Sequence, residues 1–138
     1  MQKKLPKIYI FIEDFIPLEL DKLNKNISII FRNYKKPIID SVIVALSAYC
    51  KSNKRDLYLA NDIKKAIKYK LNGVYIPSFN NKLNLHTFSL PKNFKLLGSA
   101  HNRFEINIKE TQGCSLIFIA PVFKVSKKNN FFGVTRYN

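Results

Sequence analysis

Two adjacent polar residues, Asn61 and Asp62, stand where a strand-like run ends and a helix-like run begins. The run before them is "DLYLA" (56–60), and "DIKKAIKYKL" (62–71) follows. A short polar side chain at this place can cap the helix by accepting its free N–H groups. It can also belong to an active site, since barrel enzymes build their sites at the carboxyl ends of parallel strands. One helix start can serve both uses, so both stay open at this point.

A second candidate functional residue, Arg32, ends the run "ISIIFR" (27–32). A guanidinium group can hold two phosphate oxygens at once, which makes arginine suited to phosphate recognition. The nearby Tyr34 offers another interpretation, in which the two side chains form a solvated stacked pair. We favour phosphate binding because Arg32 is predicted to lie at the same end of the sheet as Asp62.

His101 follows the run "FKLLGS" (94–99) and precedes a helix-like segment. Imidazole gains and loses a proton near neutral pH, which suits general acid–base catalysis, although a histidine in this place can simply cap or pack. Three lysines follow the last long apolar run and could either attract phosphate or form a solvated basic loop: Lys124, Lys127 and Lys128.

The composition indicates one ordinary globular unit. Of the 138 residues, 46% are hydrophobic and 13% aromatic, enough for one core without a low-complexity tract. Glu13 and Asp14 interrupt the N-terminal apolar run far short of a membrane span or a signal peptide. The two cysteines, Cys50 and Cys114, are too few for a disulfide-stabilised scaffold and lack the close paired spacing of a zinc site. We therefore expect a soluble cytoplasmic protein with no membrane partner and with both thiols reduced and buried.

The net charge of +15 is the most unusual compositional feature, and it would attract any polyanion. The lysines are spread along the chain instead of forming one basic tract, and no RNA-binding aromatic motif, helix-turn-helix pattern or zinc knuckle accompanies them. This distribution favours a solvated basic surface over a nucleic-acid-binding face, so no nucleic-acid partner is predicted.

The elements that must position these residues alternate along the chain. Apolar runs predict six strands, at 7–12, 27–31, 56–60, 73–77, 94–99 and 115–123. Helix-period segments lie between most of them, at 17–25, 37–53, 62–71 and 102–112. Pro37 suits the first turn of the second helix, and Asn102 with Glu105 has the spacing of a capping box.

Apolar strands separated by helices predict an α/β fold with a parallel sheet. No Gly-rich phosphate loop follows the first strand, where "FIEDFIP" stands, so a (β/α)₈ barrel is favoured over a doubly wound sheet. A complete barrel usually needs at least ~200 residues. Residues 1–138 are therefore predicted to form the N-terminal portion of one barrel domain. Its first and sixth strands would then have exposed edges, which favour a homo-oligomer.

Three stretches carry a family resemblance: "LANDIKKAIKYKLNGVYIP", "GSAHNRFEINIKETQGCSLIFIAPVFKVSKK" and "FFG". They resemble the thiamine phosphate synthase and thiazole tautomerase (TenI) family of (β/α)₈ barrels, in order and over almost the whole chain. The resemblance implies a cytoplasmic transferase of thiamine biosynthesis, which joins a pyrimidine diphosphate to a thiazole phosphate and releases pyrophosphate. The alternatives are a thiazole tautomerase that uses His101, or a degenerate barrel that binds phosphate ligands without catalysis.

The resemblance also implies a site. Asp62 of the Asn61–Asp62 pair would help to hold Mg²⁺ on the pyrimidine diphosphate, and Ser99 and His101 match the family's Ser-x-His motif. Arg32 and Lys128 match two of its basic phosphate-binding positions. The remaining matched positions depart from the family pattern: Asn80 replaces the second metal carboxylate, Ile30 and Tyr34 flank Arg32, and Val125 and Lys127 replace two threonines. These departures predict slow or absent synthase turnover.

Overall fold

Strands and helices alternate along the chain in the computed structural model, which describes residues 7–85 and 89–119 and the backbone of 135–137. The elements are β1 (Ile8–Ile12), α1 (Pro17–Asp21), β2 (Ile27–Phe31), α2 (Asp40–Ser52), β3 (Leu57–Ala60), α3 (Ile63–Lys68), β4 (Gly73–Ile76), β5 (Lys95–Ala100), α4 (Arg103–Gln112), β6 (Leu116–Ile119) and β7 (Thr135–Tyr137). All six predicted strands and all four predicted helices are present.

The strands form one sheet in the order β1-β2-β3-β4-β5-β6-β7. Each of the first five neighbouring pairs is parallel, and the six parallel strands curl into a half-barrel. The predicted α/β fold of barrel type is therefore confirmed. Because all six strands run the same way, their carboxyl ends lie at one edge of the sheet.

The seventh strand was not predicted from the sequence. β7 pairs with β6 in antiparallel register, with Ile117 opposite Tyr137 and Ile119 opposite Thr135. The prediction that the sixth strand has an exposed edge is wrong, because β7 forms backbone hydrogen bonds along that edge.

Side chains alternate between the two faces of the sheet, and both faces are largely buried. The convex face packs against the helices in a cluster that includes Ile29, Leu59, Val74 and Ile76. Helix α2 contributes Ile43, Leu46 and Cys50 to it, at the spacing of one helical face. The concave face carries its own cluster, which comprises Ile30, Tyr58, Tyr75, Leu97 and Leu116 packed with Tyr9, Ala60 and Phe118.

Three helix boundaries lie at least three residues from their predicted positions. The simplest case is α3, which ends at Lys68 instead of residue 71. Helix α1 ends at Asp21 instead of residue 25, because the buried Arg55 guanidinium binds the chain there. It donates to the carbonyl oxygen of Leu20 within the helix and to the three that follow the helix, those of Leu23, Asn24 and Ile27. The prediction that Pro37 lies in the first turn of α2 is also wrong. Asn33 Oδ1 accepts the N–H groups of Lys35 and Lys36, which makes this segment a turn, and α2 begins only at Asp40.

Both cysteines are free thiols, as predicted, but only Cys50 is fully buried and Cys114 is partly buried. Burial raises the pKa of Cys50 to about 11 and that of Cys114 to about 12. Both side chains are therefore neutral near pH 7. Among the helices of the described residues, none combines the length and apolar character needed to cross a bilayer.

Gly98 in β5 lies where helix α4 packs closely on the sheet, and this contact yields a stability prediction. A Cβ atom at this position would lie 2.6 Å from Lys109 Cδ and 2.8 Å from Cys114 Sγ. Gly98→Ala should therefore lower the free energy of unfolding by about 2 kcal/mol through overpacking. Urea unfolding followed by circular dichroism would measure the loss. An unchanged midpoint would contradict this close packing.

Candidate functional site

A cavity of about 300 Å³ opens at the carboxyl ends of the parallel strands, on the concave side of the sheet. The loops that follow β2, β4 and β5 form its walls. Its polar lining comprises Arg32, Ser78, Ser99 and His101. Three residues predicted from the sequence to act together, Arg32, Ser99 and His101, thus line one cavity, which is the position in which barrel folds carry their sites.

Aromatic rings form the floor of this cavity. Phe11 and Tyr75 meet edge to face with ring centroids 5.1 Å apart, and Phe118 lies 6.4 Å from each of them. Sequence reasoning missed these residues. Every second residue of a strand points to the same face, so aromatic residues at such spacing could share the concave face. The sequence does not show which face of each strand is concave.

Arg32 lies flat against this floor. Its Cζ is 3.9 Å from the centroid of the Phe11 ring and 5.5 Å from that of Tyr34, so the guanidinium face is stacked on an aromatic surface. Arg32 has no salt-bridge partner within residues 7–85 and 89–119. No carboxylate in this part of the chain pairs with its positive charge, so the guanidinium group is available to an anion at the cavity wall.

Ser99 extends the polar wall beyond Arg32. The hydroxyl groups of Ser99 and Tyr75 are hydrogen-bonded at 2.6 Å. Burial raises the pKa of Tyr75, while its hydrogen bonds with Ser99 and Arg32 act in the opposite direction. Tyr75 is therefore a neutral hydroxyl near pH 7, which can donate or accept a hydrogen bond.

His101 is held by the first turn of α4. Asn102 caps this helix by accepting the Glu105 N–H at 2.9 Å, which confirms the first half of the predicted capping box. The Glu105 carboxylate does not return to Asn102 in the usual way. Its Oε1 instead accepts the backbone N–H of His101 at 2.7 Å and lies 3.0 Å from His101 Nδ1.

This contact sets the chemistry available to the imidazole. A proton on Nδ1 is donated to the Glu105 carboxylate, and Nε2 is then the basic nitrogen of the ring. The half-exposed ring lines the cavity. The pair thus has the form of an oriented general base.

Asn61 and Asp62 lie apart from these groups. Asp62 Oδ1 accepts the Lys65 N–H at 3.0 Å, so Asp62 is the N-cap of α3. Asn61 has a left-handed backbone (φ 61°), and its Oδ1 accepts from Asn80 Nδ2 at 2.7 Å. Both residues line a second cavity of about 310 Å³, which shares Tyr34 with the first.

Magnesium was expected at Asp62, with Asn80 in the place of a second carboxylate. The Asn80 side chain donates its amide hydrogen to Asn61 and thereby occupies the carbonyl oxygen of Asn61. The described part of the chain contains no group of three or more His, Cys, Asp or Glu side chains placed to hold a metal ion. Asp62 is the only carboxylate among the described residues that line this second cavity, and Mg²⁺ usually needs one or two carboxylates together with phosphate oxygens. Magnesium at Asp62 therefore stays a prediction. Lys128, the predicted phosphate ligand, lies outside the described residues.

Two further residues support the cavity wall and were not recognised in the sequence. Lys109 Nζ and Gln112 Nε2 both donate to the carbonyl oxygen of Asn80, each at 2.8 Å. Gln112 Oε1 accepts a second bond from Lys109 Nζ at 2.9 Å. Both side chains belong to α4 and are buried. They fix the loop after β4, which carries Ser78 and Phe79 into the cavity.

Lys109 is fully buried among uncharged acceptors, and burial lowers its pKa below the usual value of 10.5. The unfolded chain consequently binds more protons at this residue than the folded chain as the pH approaches 10.5 from below. The free energy of unfolding of the native chain minus that of Lys109→Met should therefore increase with pH in that range. Chemical unfolding of both proteins from pH 7 to pH 10.5 would measure this difference, and a constant difference would contradict it.

Comparisons with known proteins identify the fold. No protein-family model matches the sequence, and a search of curated proteins likewise gives no match. Among solved structures, the chain is similar to a thiamine phosphate pyrophosphorylase from Pyrococcus furiosus, with a TM-score of 0.55 and 12% sequence identity. The matched region covers 85% of this chain and 61% of the length of that protein. At this identity the similarity shows that the two chains share an α/β fold of barrel type.

Proposed function

We propose that the cavity binds a phosphorylated heterocycle of the kind handled in thiamine biosynthesis, and that His101 transfers a proton on it. One observation supports this proposal: three polar groups line the same cavity above its aromatic floor. They are the Arg32 guanidinium, which has no salt-bridge partner among the described residues, the Ser99 hydroxyl, and the His101 ring, which contacts the Glu105 carboxylate. The fold similarity and the matched Ser99-x-His101 motif direct the proposal toward thiazole phosphate as substrate.

Arg32 and Ser99 supply the binding chemistry. The guanidinium face is stacked, but its N–H groups can form charge-assisted hydrogen bonds with phosphate oxygens. Ser99 can donate a further hydrogen bond once Tyr75 becomes the donor in their shared contact. The aromatic floor beside these groups suits a flat ring, so one ligand can occupy both parts of the cavity.

His101 supplies the proton chemistry. With Nδ1–H directed to Glu105, Nε2 can remove a proton from one ring position of the heterocycle and return it to another. The reaction is then an isomerisation with no net loss or gain of protons. A correctly placed general base of this kind accelerates proton transfer by ~10²–10⁴-fold. Glu105 stabilises the transient imidazolium ion and keeps the ring in one tautomer.

The second candidate is the coupling of a pyrimidine diphosphate with a thiazole phosphate, as in a thiamine phosphate synthase. The fold similarity to a thiamine phosphate pyrophosphorylase favours it. In this reaction basic groups such as Arg32 would stabilise the charge that develops on the departing pyrophosphate. The neutral Asn80 and the capping role of Asp62 favour the first candidate over this one.

Two assays distinguish the candidates. Incubating the chain with thiazole phosphate in deuterated water and following the ring protons by NMR detects the isomerisation. Adding pyrimidine diphosphate, with and without Mg²⁺, and measuring thiamine phosphate detects the coupling. We expect proton exchange without Mg²⁺ and slow or absent coupling. Brisk Mg²⁺-dependent coupling would favour the synthase instead, and ligand binding with neither reaction would identify a non-catalytic binder.

A further inference from the structure

Two large aromatic side chains stand at the rim of the same cavity and remain unusually exposed. Tyr34 is 56% exposed and Phe79 is 65% exposed, although both rings line the cavity. They come from different loops, after β2 and after β4, and their ring centroids lie 5.6 Å apart at an interplanar angle of 71°. Exposed aromatic surface gains free energy when a ligand covers it.

Each of these aromatic residues is adjacent to an asparagine that fixes its loop. Next to Tyr34, Asn33 accepts two backbone N–H groups and donates its amide to the carbonyl oxygen of Glu13. Next to Phe79, Asn80 donates to Asn61 and accepts from the side chains of α4. Both rings are therefore carried by anchored loops, so little backbone conformational entropy remains to be lost when a ligand packs against their exposed faces.

The rim pair also lies beside the anion-binding group. The Tyr34 ring centroid is 5.5 Å from Arg32 Cζ, which itself lies 3.9 Å from the centroid of the floor residue Phe11. A ligand with its phosphate on the Arg32 N–H groups can thus place a ring bonded to that phosphate against Tyr34 and Phe79.

We propose that Tyr34 and Phe79 form an aromatic clamp that makes this cavity select ligands with a flat aromatic ring over ligands with a saturated ring. This inference rests on the proposed function, because it takes Arg32 as the phosphate-binding group. Flat rings stack on the clamp with offset or edge-to-face contacts. A puckered, saturated ring of similar size has no π face and packs less closely against the exposed faces of Tyr34 and Phe79.

Calorimetric titration with three probes tests the clamp: phenyl phosphate, cyclohexyl phosphate and inorganic phosphate. For the native chain we expect phenyl phosphate to bind about tenfold more tightly than cyclohexyl phosphate. The double variant Tyr34→Leu, Phe79→Leu keeps apolar bulk at the rim but should remove this preference, while its affinity for inorganic phosphate stays unchanged. Phe104→Leu is the matched control, because Phe104 is 71% exposed on α4 and does not line the cavity.

The outcomes separate this inference from the proposed function. Equal affinities of the native chain for the two ring phosphates, or an equal loss of the preference in Phe104→Leu, would overturn the clamp. A second variant, Arg32→Met, tests the anion-binding site separately. If it leaves the affinity for all three probes unchanged while the double leucine variant still removes the ring preference, the anion site fails and the clamp stands. If the native chain binds none of the probes, both are overturned.

Discussion

Replacing His101 with asparagine should lower the rate of proton exchange into thiazole phosphate by a factor of at least about 10². Asparagine can still form hydrogen bonds, but its amide cannot take up and release a proton near neutral pH. The substrate affinity should change little, because Arg32 and Ser99 remain. Exchange rates in deuterated water, measured by NMR at several substrate concentrations, give the maximal rate and the substrate affinity separately.

Glu105→Gln provides the companion measurement. The glutamine side chain can still contact His101, but it no longer stabilises an imidazolium ion, so the exchange rate should fall, though less than in His101→Asn. Exchange at the native rate in His101→Asn would show that the imidazole is not the proton carrier. The Ser99-x-His101 motif would then serve only to begin α4.

Replacing Arg32 with methionine should weaken the binding of a phosphate monoester by about 10- to 100-fold, since hydrogen bonds to charged groups contribute about 1.5–3 kcal/mol. Methionine preserves apolar contact with Phe11 while it removes the charge. Calorimetric titration of both proteins at one fixed salt concentration measures the loss.

Lys64→Met is the matched control for this substitution. Lys64 is an exposed residue of α3 and lies outside both cavities, yet its replacement changes the net charge by the same amount. The net charge of +15 attracts anions over the whole surface, so a general electrostatic effect must be separated from a formed site. Equal losses from Arg32→Met and Lys64→Met would mean that charge alone accounts for the affinity.

The barrel-type fold could be predicted because its strands are nearly continuous apolar runs and its helices have a distinct period. Helix boundaries were less predictable. The end of α1 depends on Arg55, which is more than 30 residues away along the chain from the carbonyl oxygens of Leu20, Leu23 and Asn24. The pairing of β7 with β6 is likewise a tertiary contact of only three residues.

The candidate site was predictable in part. The rule that functional groups follow parallel strands predicts that Arg32, Ser99 and His101 lie close together, and the three residues do line one cavity. Their roles stay predictions. The same rule would place Asn61 and Asp62 beside these three residues. The left-handed turn at Asn61, its bond to Asn80 and the capping bond of Asp62 direct these two side chains to the neighbouring cavity instead. Such local geometry depends on contacts between loops, which no single stretch of sequence reveals.

Titration of the isotope-labelled chain with thiazole phosphate, followed in assigned NMR spectra, tests the central claim most directly. We expect the largest shifts at Arg32, Ser99 and His101, with smaller shifts at Tyr34 and Phe79, and saturation at a single affinity. The Asp62 and Lys64 resonances should move little. Shifts distributed over the lysines of α3, or concentrated at Asn61 and Asp62, would contradict the assignment of the phosphate-binding site to the cavity of Arg32 and His101.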